Sequence, residues 1–215
     1  MTRKQRALLD SFSTSRSLRL PPDFHDRVTG YLHLLDSWSR AVRLTGDRDP
    51  DVLVAKHCAD SLAAAALAGE RDRVVDVGSG AGFPGVVMAL ARPGCRVALV
   101  ESKRKVCSFL NEVVANVEAG NAFVLWGRAE QAALTAGLGG SFDLAVSRAI
   151  APASFLPLAV PFLNENGKIL MMTTPAMDER SAALLGDPHG LVVERTVDYG
   201  LPSGEARRIL VFSRR

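Results

Sequence analysis

Four glycines crowd into eight positions, Gly78, Gly80, Gly82 and Gly85, directly after the β-branched run Arg73-Val74-Val75-Asp76-Val77 and at the head of the apolar run Gly85 to Ala91. Glycine at that density favours neither helix nor strand, so the segment is a loop whose backbone can turn tightly and approach a ligand closely. Strand, glycine loop and helix in that order make a β–α unit of a parallel sheet, and such sheets bind ligands at the carboxyl edge of their strands. The chain is thereby directed toward an open α/β fold with its site beside this loop.

The remainder of the sequence extends that reading. Strands are expected at Arg73 to Val77, Arg96 to Val100, Ala122 to Trp126, Phe142 to Ser147 and Lys168 to Thr173, with helical stretches between them. That alternation is the pattern of parallel strands with crossover helices. Two further extended runs, Leu191 to Tyr199 and Ala206 to Phe212, are joined by Gly200, Pro202 and Gly204 without an intervening helix, so they are expected to form an antiparallel hairpin. The expected fold is a seven-stranded, doubly wound α/β sheet of Rossmann-like type. Residues 1–70 read as a helical extension and 71–215 as the sheet domain. In the extension, Phe24, Val28, Tyr31, Leu32, Leu35, Trp38 and Val42 recur at spacings of three and four, one apolar stripe along a helix. Asp49 and Pro50 form an N-cap and N1 pair that opens a second helix, Pro50 to Ala68. On it, His57, Asp60 and Ser61 are expected to share one face.

The 215 residues, 47% hydrophobic and 23% charged, exclude a disordered chain. The longest nearly apolar stretches fall well short of the ~18 residues a membrane span needs. The basic opening Met1 to Asp10 has no apolar region behind it, which argues against a secretory signal. Cys58, Cys95 and Cys107 are odd in number and lack metal spacing. Free thiols in a reducing cytoplasm, with no metal, are expected. Net charge is only +3. It names no partner by itself, although basic residues gather in Lys103-Arg104-Lys105 and in the pairs Arg207-Arg208 and Arg214-Arg215.

Two cofactor classes compete for the loop. Counted from Gly80, the string Gly80-x-Gly82-x-x-Gly85 with Glu101 about 20 residues on matches a dinucleotide fingerprint. There the helix N-terminus would face a pyrophosphate, beside which Asp76 is an unhelpful charge. Counted from Asp76, the string Asp76-x-Gly78-x-Gly80-x-Gly82 resembles the first motif of class I S-adenosylmethionine-dependent methyltransferases. That cofactor is cationic, so an acid beside the loop is electrostatically sensible. In this resemblance Asp76, Gly78, Gly80 and Gly82 hold the amino-acid end, Glu101 the ribose, and Arg128-Ala129-Glu130 the adenine.

The position after the fourth strand reads Ser147-Arg148-Ala149, neither the Asn-Pro-Pro-aromatic of exocyclic amine methylation nor the nucleophilic Cys of pyrimidine-carbon methylation. Taken together with Arg43-Leu44-Thr45, His57-x-x-Asp60-Ser61, the loop from Asp76 to Gly85, Arg128-Ala129-Glu130 and Gly204-Glu205 before a basic final strand, it resembles the RsmG (GidB) family of bacterial small-subunit rRNA methyltransferases. The resemblance runs in order from about residue 24 to 213. It implies S-adenosylmethionine as cofactor, 16S rRNA or the small ribosomal subunit as partner, and methylation of guanine N7 at position 527 in the 530 loop, by a monomer in the cytoplasm. Carried to matching positions, cofactor contacts fall on Gly78, Phe83, Ala129, Glu130 and Arg148, with Glu101 at the ribose. Thr173-Thr174-Pro175 stands where the family usually carries Lys-Gly.

Arg128, Arg148, His57 and Asp60 are the expected reaction-centre residues. His57, Asp60 and Ser61 either line the guanine pocket or form a hydrogen-bonded cluster joining the N-terminal helices to the sheet domain. Arg148, at the carboxyl end of a central strand, is expected to serve the site, because without a substrate or cofactor it would need another partner. Trp126, at the end of a strand read as interior, is expected in the core rather than as a base-stacking platform. Lys103, Arg104 and Lys105 open a helix against its macrodipole, a placement suited to RNA contact.

Overall fold

The computed structural model describes residues 1–135, 137–148 and 150–215; Ala149, the third residue of the Ser147-Arg148-Ala149 segment, lies outside them. The chain opens with α1 (Arg3–Thr14), closed by a Thr2/Gln5 capping box, and α2 (Phe24–Ser39). A continuous helical stretch follows: α3 (Pro50–Val52), capped by the Asp49 carboxylate on the Asp51 amide, a π-helical segment (Leu53–Cys58), and α4 (Ala59–Ala65). The sheet domain alternates β1 (Arg73–Val77), α5 (Gly85–Ala91), β2 (Arg96–Glu101), α6 (Arg104–Asn116), β3 (Ala122–Trp126), α7 (Ala129–Thr135), β4 (Phe142–Ser147), α8 (Pro152–Ala159) and β5 (Leu163–Thr173). It ends in α9 (Glu179–Gly186), β6 (Leu191–Gly200) and β7 (Ala206–Arg214).

The seven strands lie in the order β3-β2-β1-β4-β5-β7-β6, with β1 to β5 parallel and β7 antiparallel to both its neighbours. The doubly wound sheet and terminal hairpin are thus as the sequence predicts. The order reverses between β1 and β4, so their carboxyl ends form the crevice where such sheets bind ligands. β1 is buried on both faces, which is why it reads as a nearly unbroken Val run. Val75 and Val77 enter the core covered by α8, whereas Val74 enters the core shared with α1, α2, α4, α5 and α6. The N-terminal helices therefore contribute to the same core as one sheet face.

Two expectations need correction. β3 is an edge strand, and Trp126 at its end is 64% exposed rather than part of the core. Which strand ends a sheet depends on the direction of crossovers, and the composition of the strand does not reveal it. The stretch carrying His57, Asp60 and Ser61 is not a regular α-helix throughout, since a π-helical segment runs through Leu53–Cys58, yet His57 and Asp60 still face one group, Arg148. Ser61 Oγ bonds back to the His57 carbonyl at 2.7 Å.

Candidate active site

The glycine loop separates two pockets at the carboxyl edge of the sheet. One, of about 170 Å³, is lined by Gly78, Glu101, Ser102, Gly127, Arg128, Ala129 and Glu130, among others. The other, of about 230 Å³, is lined by Leu44, Thr45, His57, Ser79, Gly80, Ala81, Phe83 and Arg148. The expected cofactor residues Gly78, Glu101, Ala129 and Glu130 thus gather in the first pocket, and Gly80, Phe83 and Arg148 in the second. Arg128 and Arg148, expected to serve one centre, line different pockets.

In the first pocket the Glu101 carboxylate is already oriented. Its Oε2 accepts from the Gly80 amide at 3.1 Å and its Oε1 from the Lys103 amide at 2.8 Å. The acid at the end of β2 is thereby tied to the loop after β1. Gly78 and Gly80 adopt φ of +74° and +51°, left-handed values that favour glycine, and a Cβ on Gly80 would meet no atom closer than 3.8 Å. Gly80 thus leaves an open cradle against which a ligand can lie, whereas a Cβ on Gly78 would stand 2.9 Å from Ile150 Cδ1.

Asp76 and Gly82 line neither pocket. Strand alternation turns the Asp76 side chain inward with Val74, and the residue is 1% exposed. Its Oδ2 accepts from the Gly85 amide at 3.0 Å. Burial pushes the carboxyl up to about 7, opposed by its bonds to Gly85 and Ser79, and Oδ1 has no partner among the described residues. The expected contact of Asp76 with a cofactor becomes a brace beneath the loop. Gly82, at φ +99°, is required for packing, since a Cβ there would stand 2.7 Å from Val86 Cγ2. The same geometry disfavours the dinucleotide alternative: the amide at the helix head that a pyrophosphate would use is held by a carboxylate.

The second pocket is organised by Arg148. Its Nη1 donates to His57 Nδ1 at 2.7 Å, and its Nε pairs with Asp60 Oδ2 at 2.8 Å. His57 Nε2 lies 2.7 Å from Asp47 Oδ2. Because the guanidinium can only donate, His57 Nδ1 must be the acceptor, which makes the ring neutral with its proton on Nε2, directed at Asp47. Burial, and then the charge of Arg148, lower the His57 pKa, consistent with that tautomer.

Asp60 is fully buried and saturated. Besides Arg148, it accepts from Tyr199 Oη at 2.6 Å and from Arg207 Nε and Nη2 at 3.2 and 3.0 Å. Burial, followed by the Asp60 charge, raises the Tyr199 pKa well above its usual range. Of the two readings open for the helix cluster, each holds for a different residue: His57 lines the pocket, and Asp60 joins the helical extension to the β6–β7 hairpin. Tyr31, read as an apolar stripe residue, also reaches the site; its hydroxyl donates to the Ala81 carbonyl at 2.6 Å and its ring packs on Phe83. Tyr31, Tyr199 and Arg207 are participants that sequence reasoning missed, although Arg207 belongs to a basic pair it had marked.

A family model described as rRNA small subunit methyltransferase G matches residues 25–184. The ribosomal RNA small subunit methyltransferase G of Symbiobacterium thermophilum is 34% identical over 220 residues, covering 98% of this chain and 89% of that protein. The protein of the same name from Clostridium beijerinckii is 30% identical over 235 residues, covering 96% of each. Among solved structures, M. jannaschii TYW2 in complex with AdoMet aligns with a TM-score of 0.60 at 14% identity, over 74% of this chain and 76% of that one. A SAM dependent methyltransferase from Aquifex aeolicus aligns at 0.57 and 17% identity, over 76% and 93%. These two likenesses speak for the fold, the sequence matches for descent: the chain belongs to the rRNA small subunit methyltransferase G (GidB) family.

Proposed function

We propose that this protein methylates N7 of a guanine in small-subunit rRNA, position 527 in the 530 loop of 16S rRNA, with S-adenosylmethionine as donor and no general base. Family membership supports the substrate class and the cofactor. Gly78, the oriented Glu101 carboxylate, Ala129 and Glu130, which line one pocket, and the open Gly80 backbone bonded to that carboxylate fit such a cofactor, with Glu101 at the ribose hydroxyls. S-adenosylmethionine supplies an electrophilic methyl group on a sulfonium.

The observation that carries the mechanism is the saturation of the acid–base groups. Both His57 nitrogens are engaged, Nδ1 by Arg148 and Nε2 by Asp47, and both Asp60 oxygens are engaged by Arg148, Arg207 and Tyr199. Neither residue is placed to take a proton. Guanine N7 requires none to be taken, because it carries an in-plane lone pair and no proton. What remains is positioning, where a near-attack geometry can supply on the order of 7–11 kcal/mol. Arg148, held on two sides, presents a fixed cation to the pocket, which Phe83 and His57, their ring centroids 5.1 Å apart, also line.

The helical extension 1–70 completes this pocket for the domain 71–215, since Leu44, Thr45 and His57 come from the former and Arg148 from the latter. No helix among the described residues is long and apolar enough to cross a membrane; we place the enzyme in the cytoplasm, acting as a monomer. The test is transfer of labelled methyl from S-adenosylmethionine to purified small subunits, followed by nuclease digestion and mass analysis. N7-methylguanosine at the 530 loop supports the reading, and label on an exocyclic amine or ring carbon overturns it.

A further inference from the structure

We propose that Trp126 and Arg104 form a stacking site for one unpaired base of the RNA substrate at the rim of the cofactor pocket; the proposal rests on rRNA being that substrate. Trp126 stands 64% exposed at the end of an edge strand. An indole left in water forgoes the burial its large apolar surface would otherwise gain, and its large ring with one polar handle suits a surface that meets a partner.

The ring is nevertheless not loose. Its Nε1 donates to the Ser102 carbonyl at 3.1 Å, and the Arg104 guanidinium lies over the ring, 5.5 Å from its centroid. A platform fixed by one hydrogen bond and one cation–π contact loses little freedom when a base stacks on it. Its place is also defined. Trp126 pairs in register with Glu101, and Ser102, Gly127 and Arg128, which flank these two residues, line the pocket that holds Glu101.

The surrounding charge suits a phosphate backbone. Lys103, Arg104, Lys105 and Arg128 are all exposed, against the exposed carboxylate of Glu130. α6 starts with Arg104 and Lys105 and has no acid in its first turn, an arrangement that opposes the helix dipole. Exposed cations beside a rigid aromatic face are the means by which proteins hold single-stranded nucleic acid, the cations tracking phosphates and the ring taking a base. A base within a duplex is already stacked, so the site selects an unpaired one.

The test uses the full-length protein carrying Trp38→Phe. Trp38 packs half-buried on Phe109 away from this rim, so the substitution leaves Trp126 as the sole indole. Binding a transcript of the 530 loop should quench Trp126 fluorescence, and a fully paired duplex of equal length should not. Trp126→Ala should weaken transcript binding by about 5- to 150-fold, the stacking contribution of one base. Trp126→Phe should recover most of that loss, while turnover at saturating RNA and the calorimetric affinity for S-adenosylmethionine stay at wild-type values. Wild-type RNA affinity in Trp126→Ala with no quenching overturns the stacking site and leaves the rRNA reading standing. Lost cofactor binding in Trp126→Ala overturns it differently, by placing the indole in the adenine pocket. A wild-type protein that neither binds nor methylates transcript or subunit overturns both readings.

Discussion

Arg148 Nε meets Asp60 Oδ2 at 2.8 Å inside the protein, joining the end of the fourth strand to the helical extension, and the other carboxylate contacts come from the final hairpin. Three chain segments far apart in sequence thus set the orientation of one guanidinium. A buried carboxylate between two arginines costs much desolvation and is tolerable only while its partners remain. Asp60→Asn should therefore lower unfolding stability by roughly 3–5 kcal/mol. Tyr199→Phe, which strips a single bond from the same oxygen, should cost about 1–3 kcal/mol. Denaturant melts decide both, and near-wild-type stability in Asp60→Asn would refute the account of this cluster.

Positioning and RNA holding should separate in the kinetics. Arg148→Lys keeps a charge but cannot bond His57 and Asp60 from one planar group. Its turnover at saturating RNA should fall by about 10²-fold, the scale of a small misplacement, with RNA affinity little changed. Lys103→Ala should instead leave turnover intact and lower the salt dependence of RNA binding by ~1 in slope. Turnover of Arg148→Lys equal to wild type would remove Arg148 from the reaction centre.

The glycines of the loop should part into two kinds. Gly80→Leu places a side chain in open space at a positive φ, so it should abolish cofactor binding by calorimetry while circular dichroism stays native. Gly82→Ala drives a methyl onto Val86 and toward the Tyr31 hydroxyl, and should lower the melting temperature as well. Full cofactor binding in Gly80→Leu would sink the cradle assignment.

Asp76 should leave a signature in stability against pH. Below about 3.8 the carboxyl is neutral whether the chain is folded or not; as pH rises toward 7 the unfolded chain ionises freely while the folded one resists. Its contribution is therefore full in acid and is lost through about pH 7. Asp76→Asn can still accept from the Gly85 amide without carrying a charge, so it should be the more stable protein at pH 8. The limit on that gain is roughly 4 kcal/mol, since one pH unit corresponds to 1.36 kcal/mol. Parallel melting curves of the two proteins from pH 4 to 8 would contradict the buried brace.

Much of the fold was legible because parallel strands buried on both faces must be β-branched runs, and because the glycine loop marks the first of them. What escaped was non-local. Tyr31 finds its carbonyl 50 residues away, and Tyr199 and Arg207 find Asp60 across 139 and 147 residues. No local pattern distinguishes those side chains from a stripe Tyr or a solvated Arg. Trp126 was misplaced for the same reason, since edge position is a property of the whole sheet. Asp76 fell in the right loop with the wrong orientation: alternation along β1 turns it inward, while the motif alone suggested a ligand contact.

If no base operates, the single-turnover rate should be nearly flat between about pH 6 and pH 9, the range over which an unperturbed His would titrate, because the methyl transfer takes no proton. A basic limb that disappears in His57→Ala would assign the ring a proton after all.

The most direct measurement of the central claim is a mass map of 16S rRNA from cells lacking this protein, with the gene then restored. The account predicts that N7-methylguanosine at position 527 is absent, returns with the wild-type gene, and returns more slowly with Arg148→Lys. An unchanged modification in the deleted strain, or the loss of a methyl group from any atom other than guanine N7, would contradict it.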